Sequence, residues 1–102
     1  MIREWRTYAS SIARSARQKL GPSTEVYVFG SALRGEAVAA SDVDILLVVD
    51  RPLGSLSERN KIRMTIEDAA GLPDVHPFEI HVVNRDESEA YLKHIGKAVL
   101  KV

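Results

Sequence analysis

Apolar positions along the chain change period several times, and each change marks an element. Ile2, Trp5, Ala9, Ile12, Ala13, Ala16 and Leu20 recur at steps of three and four, which sets them on one stripe of a helix that Gly21-Pro22 stops. Glu25 to Phe29 (EVYVF), rich in β-branched and aromatic residues, reads as a first strand. Val43 to Val49 (VDILLVV) is apolar on both alternating faces after Asp44, as expected of a central strand covered on both sides, and Asp50-Arg51-Pro52 ends it. Ser55 and Glu58 have capping-box spacing ahead of a second helix whose apolar face is Ile62, Ile66, Ala69 and Ala70, with Gly71 and Pro73 closing it. In Phe78 to Val83 (FEIHVV) the alternation puts Phe78, Ile80 and Val82 on one face and Glu79, His81 and Val83 on the other, a third strand. Asn84 and Glu87 again have capping spacing, predicting a helix from Asp86 to about Ile95, while Gly96 onward fits either a frayed helix end or a short extended tail.

These elements predict an α/β (α+β) architecture, a small mixed β-sheet flanked by helices. The 102 residues suit one domain spanning 1–102, because dividing them would leave two cores each too small to bury enough surface. No run approaches the roughly 18 apolar residues of a membrane span, and MIREWRTYAS lacks the apolar core of a secretory signal, so no membrane partner and a cytoplasmic location are expected. The chain has no cysteine, which excludes disulfides and thiolate metal sites and leaves oxygen or imidazole ligands for any metal. Its formal net charge is zero, but residues 1–41 hold six Lys and Arg against three acids, and the rest hold eight against eleven. Arg3, Arg6, Arg14 and Arg17 fall mainly off the apolar stripe, where solvation is their ordinary role and contact with an acidic partner or phosphates the alternative. Nothing in this balance argues for duplex nucleic acid as a partner.

The chemistry concentrates in residues 30–50. A loop leaving a strand presents unpaired backbone N–H groups to phosphate oxygens; Gly30 lets a phosphate approach the backbone, and Ser31 adds a hydroxyl donor without bulk. Taken alone, Gly30-Ser31 also suits an ordinary turn. Asp42 and Asp44, two residues apart at a strand start, project to the same face about 6.5 Å apart along the backbone. Carboxylates so placed can converge on a pair of magnesium ions, and otherwise they are two solvated acids at a strand end. Glu79 adds a third acid inside an apolar run, where burial without a partner would be costly, so it is either part of the same site or bridged to Arg34 or a helix lysine. His76, His81 and His94 do not have metal-ligand spacing; His81 shares the strand face of Glu79, with packing or hydrogen bonding as its expected role. Tyr8, Tyr27 and Tyr91 are expected in the core or an interface.

GSALRG followed, ten residues after Gly30-Ser31, by Asp42-Val43-Asp44 resembles the GSx10DxD signature of the DNA polymerase β-like nucleotidyltransferase superfamily, and in particular its small stand-alone members, the minimal nucleotidyltransferases of antitoxin type. The resemblance covers nearly the whole chain. It implies that Gly30 and Ser31 hold a nucleotide triphosphate, that Asp42 and Asp44 bind magnesium, and that Glu79 completes a catalytic and metal-binding triad. The third acid of the family is commonly aspartate, so the longer Glu79 is a departure, with Asp74 in a Pro-flanked loop as the nearest alternative. Arg34 and Gly35 match the family's turn, Arg34 as a phosphate contact or a structural ion pair, and Ser41 stands where it can cap the loop before Asp42. The implied activity is transfer of a nucleoside monophosphate, AMP from ATP, to a hydroxyl acceptor with two Mg2+ ions. The implied partner is a helical HEPN-type toxin that the chain adenylylates, an antitoxin role. A binding module that neutralises or scaffolds a partner, and nucleotidylation of a small molecule such as an aminoglycoside, are the alternatives.

Overall fold

The computed structural model describes residues 5–30, 43–72, 78–96 and 99–102. In chain order these form α1 (Trp5–Leu20), β1 (Glu25–Phe29), β2 (Val43–Val49), α2 (Leu56–Ala69), β3 (Phe78–Asn84), α3 (Arg85–Ile95) and β4 (Val99–Lys101). The strands make one sheet in the order β3-β2-β1-β4. β1 pairs antiparallel with β2 and β4, whereas β2 and β3 run parallel across the α2 crossover. The sheet is therefore mixed, as expected, and the ambiguous tail after Gly96 resolves into a short edge strand.

The side-chain period of two along a strand separates two cores. Val26 and Val28 of β1, Val43, Ile45, Leu47 and Val49 of β2, and Phe78, Ile80 and Val82 of β3 pack against α1 and α2. From α1 come Ala9, Ile12, Ala13 and Ala16, three of them small enough to bring the helix close to the sheet; from α2 come Ile62 and Ile66, one turn apart. Tyr8 stacks at an angle on Phe78, ring centroids 5.8 Å apart. The opposite face carries a smaller cluster of Leu46, Val48 and Val83 with Tyr27, Phe29 and Leu92 of α3 packed against it. Both faces of β2 are thus covered, which is why its sequence is apolar without interruption after Asp44.

The caps differ in detail. Asn84 and Glu87 form a full capping box at α3, each side chain accepting the other residue's backbone N–H, and the helix begins one residue earlier than its pattern suggested. At α2 the box is not reciprocal: Ser55 Oγ accepts from Glu58 N, but Glu58 turns to accept from Gly54 N at 2.6 Å. Ala69, expected on the buried face of α2, is exposed, whereas Ala70 packs partly buried on the core where the helix ends and the chain turns at Gly71 (φ +72°). Arg17, expected to be solvated, donates from Nη2 to Val102 O at 2.6 Å and ties α1 to the segment after β4. The consequence of this framework is positional: β1 ends, and β2 and β3 begin, at the same edge of the sheet.

Candidate functional site

That shared edge carries Gly30, Asp44, Glu79 and His81. Antiparallel pairing sets Phe29 opposite Asp44, and parallel pairing sets Asp44 opposite Glu79 and Leu46 opposite His81. Asp44, Glu79 and His81 therefore share the α3-side face of the sheet, two of them on one strand at alternate positions and the third on its neighbour. Residues so paired are within side-chain reach of one another.

Gly30 sits where a side chain does not fit. Its φ is +102°, a conformation that L-residues rarely adopt, and a Cβ built there would collide with the Asp44 carboxylate. The glycine thus lets the backbone at the end of β1 lie directly against the Asp44 carboxylate. This close approach of backbone to carboxylate gives the Gly30 position a requirement stronger than that of an ordinary turn.

Asp44, Glu79 and His81 each offer a ligand atom, and these three atoms lie within 4.8 Å of one another. His81 Nε2 is 3.4 Å from Asp44 Oδ1 and 3.9 Å from Glu79 Oε1. The ring is flanked by Phe29 on β1 and Tyr91 on α3, at centroid separations of 5.8 and 6.1 Å, which restricts its plane. Among the described residues, only His81 comes within ion-pairing distance of either carboxylate. Two neighbouring acids on one sheet face without an arginine or lysine repel each other, a disposition that a divalent cation relieves. Donors within 4.8 Å fit a single ion once small side-chain rotations close the gaps, since metal–ligand bonds of about 2.0–2.2 Å place opposite ligands about 4.2 Å apart. The residues present thus fit a divalent metal.

Glu79 reaches this position by a different route from the one its sequence suggests. Its side chain is 58% exposed on the edge strand, not buried in an apolar run, so the cost of burying a charge does not account for it. Its described neighbour is His81 rather than a lysine. His81 packs against Phe29 and Tyr91 and contacts Asp44, as expected, and in doing so joins the two acids; the signal for this was its place two residues from Glu79 on the same strand face. Ser31, Arg34, Gly35, Ser41, Asp42, Asp74 and His76 lie outside the described residues.

A second polar constellation adjoins the site. Arg59 of α2 donates to both carboxylate oxygens of Glu87 at 2.9 Å and to Val82 O at 3.0 Å, covering one carbonyl on the open edge of β3. The guanidinium, followed by the Asn84 backbone N–H, holds the Glu87 carboxyl below the usual carboxylate range, and Glu87 raises Arg59 in turn. A cavity beside this pair, lined by Arg59, Asn60, Arg63, His81 and Tyr91 among others, opens next to the acidic cluster. No helix among the described residues is long and apolar enough to cross a membrane.

Among the described residues, three helices and a four-stranded mixed sheet, with Asp44, Glu79 and His81 gathered where β2 and β3 begin, define an α+β fold. Residues 10–99 match the family profile of the nucleotidyltransferase domain, and the chain belongs to that family, within the polymerase β-like nucleotidyltransferase superfamily. Spectinomycin 9-adenylyltransferases of Staphylococcus aureus strains Mu50 and N315 are 43% identical to it over 65 residues, 61% of this chain and 25% of theirs. The chain thus spans about a quarter of the length of the curated relatives it matches. A crystal structure provisionally described as a nucleotidyltransferase superposes with a TM-score of 0.68 at 18% identity, covering 91% of this chain and 95% of that one. Another so described, from Sulfolobus solfataricus, superposes with a TM-score of 0.55 at 20% identity, covering 93% and 85%.

Proposed function

We propose that this chain, acting as one domain over residues 1–102, transfers AMP from ATP to a hydroxyl acceptor in the cytoplasm. The observation that carries this reading is the strand register that sets Asp44 beside Glu79, next to Gly30, with His81 and no arginine or lysine within ion-pairing distance among the described residues. In this reading Gly30 and Ser31 hold the triphosphate through backbone N–H groups and the Ser31 hydroxyl, and Arg34 pairs with a phosphate. Asp42, Asp44 and Glu79 hold the metal. Two magnesium ions, when bound, supply positive charge against the triphosphate and lower the pKa of the acceptor hydroxyl. The acceptor oxygen bonds to the α-phosphorus as the bond to pyrophosphate breaks, and the hydroxyl proton passes to the Glu79 carboxylate and then to solvent.

Two acceptors suit this reading. A helical HEPN-type protein, adenylylated and thereby neutralised, is the reading suggested by the resemblance to minimal nucleotidyltransferases. A small-molecule acceptor is favoured by a different observation, the 43% identity over 65 residues to proteins named as adenylyltransferases of spectinomycin. The test is transfer of label from α-labelled ATP with Mg2+, offered a co-expressed helical partner and, separately, spectinomycin. Label is expected to move with the wild type and not with the Asp42→Asn/Asp44→Asn variant. Undiminished transfer by that variant would overturn the reading. Failure of the wild type to label either acceptor, or to be stabilised by Mg2+ and ATP, would leave a non-catalytic binding module.

A further inference from the structure

Nucleotidyl transfer at a carboxylate site calls for oxygen ligands and phosphate donors, yet an imidazole stands among the acids. His81 Nε2 lies 3.4 Å from Asp44 Oδ1 and 3.9 Å from Glu79 Oε1. Closed N–H···O bonds centre near 2.9–3.0 Å, so neither contact is a tight hydrogen bond. Donors sharing one ion stand at hydrogen-bond separations or wider: with bonds of about 2.0–2.2 Å, neighbouring ligands are about 3.0 Å apart at a right angle and about 3.4 Å at the tetrahedral angle. The first separation falls in that range and the second is a few tenths of an ångström beyond it.

The ring's surroundings restrict it without explaining its direction. Phe29 and Tyr91 pack against His81 with interplanar angles of 33° and 44°, and aromatic packing of this kind is indifferent to which ring atom faces the acids. The side chain is 27% exposed and so has a way to solvent, but Nε2 faces both carboxylates. Register explains how: Glu79 and His81 alternate on β3, and Asp44 lies directly across from Glu79.

We propose that His81 is a nitrogen ligand of the ion that Asp44 and Glu79 hold, and that it tilts this site toward first-row transition dications such as Mn2+ at the expense of Mg2+. The inference rests on the nucleotidyltransferase reading for the presence of a metal at this edge. Carboxylates serve either ion. Mg2+ is a hard cation that keeps oxygen ligands and bound water, whereas imidazole adds affinity for transition ions. One nitrogen donor in an otherwise oxygen site therefore separates the two.

The experiment uses the purified chain in excess over Mn2+, without nucleotide, so that no base nitrogen contributes. Free Mn2+ is measured by electron paramagnetic resonance, directly bound nitrogen by electron spin echo envelope modulation, and preference by Mg2+ competition. The wild type is expected to bind Mn2+ with nitrogen modulation, and the His76→Gln/His94→Gln variant, which keeps Asp44, Glu79 and His81, to retain it. His81→Gln is expected to keep binding Mn2+, to lose the modulation, and to lose Mn2+ affinity on the order of tenfold while Mg2+ affinity holds. Bound Mn2+ without nitrogen modulation in the wild type, or modulation that survives His81→Gln, overturns the proposal and leaves nucleotidyl transfer standing. Mn2+ that binds Asp44→Asn as well as wild type removes the metal site from this edge, and both readings fall with it.

Discussion

The two ends of the same sheet face treat their acids in opposite ways. Toward the ends of β2 and β3, Asp50, Glu25 and Glu87 each have a cation: Arg85 reaches Asp50 at 3.1 Å and Glu25 at 3.6 Å, Lys101 reaches Glu25 at 3.6 Å, and Arg59 grips Glu87 with two bonds. Where β2 and β3 begin, Asp44 and Glu79 have only His81 among the described residues. The paired acids cap a helix and tie strands to α3, so they serve the fold. The facing acids at the other end have no arginine or lysine partner among the described residues, and the pairing of β2 with β3 sets them side by side. Acids kept in such a position are available to a ligand.

This contrast is open to measurement, beginning with the largest effect. Gly30→Ala forces a side chain into φ +102° and into the Asp44 carboxylate. It should cost about 2–3 kcal/mol in urea denaturation and cut nucleotidyl transfer on the order of a hundredfold by displacing the acid. Retained transfer with full stability would show that the close approach is incidental. A smaller loss, about 2 kcal/mol, is expected for Glu87→Ala, which removes the α3 capping box and strands Arg59; label transfer per folded molecule should not change. Glu79→Gln is the counterpart at the other end: thermal unfolding should shift by less than about 0.5 kcal/mol, and upward, since like charge is removed from an exposed position. An equal loss from Glu79→Gln and Glu87→Ala would erase the distinction between the ends.

The smallest effect is the pH dependence of the paired end. Burial raises the Glu25 carboxyl, but the Tyr27 hydroxyl, Lys101 and Arg85 outweigh it and leave the net shift downward; Arg59 and then the Asn84 N–H lower Glu87. A carboxyl whose folded pKa lies below its unfolded value near 4.5 contributes stability above that value and loses it as pH falls through the folded pKa. Urea midpoints should therefore hold from pH 7 to about 5 and decline below about 4.5, with Glu87→Ala declining less steeply. A midpoint unchanged to pH 3 would mean that these ion pairs do not stabilise the fold.

Much of this was legible along the chain because it depends on local period and local chemistry. The stripe of α1, the uninterrupted apolar run of β2, the alternation of β3 and the capping box at Asn84 are each set by neighbours a few residues apart. Sequence alone therefore determined the number and kind of the long elements, the face of β3 that carries Glu79 and His81, and the spacing of Gly30, Ser31, Asp42 and Asp44 that resembles the nucleotidyltransferase signature. It did not determine β4, whose three residues become a strand only because β1 offers an open edge, nor Arg59, which acts through residues 23 and 28 positions away. Above all, Asp44 and His81 are 37 residues apart, and no local pattern connects them. The parallel register of β2 and β3 does, because pairing Asp44 with Glu79 leaves His81 one step along the same face; tertiary structure thereby made an imidazole part of a carboxylate site.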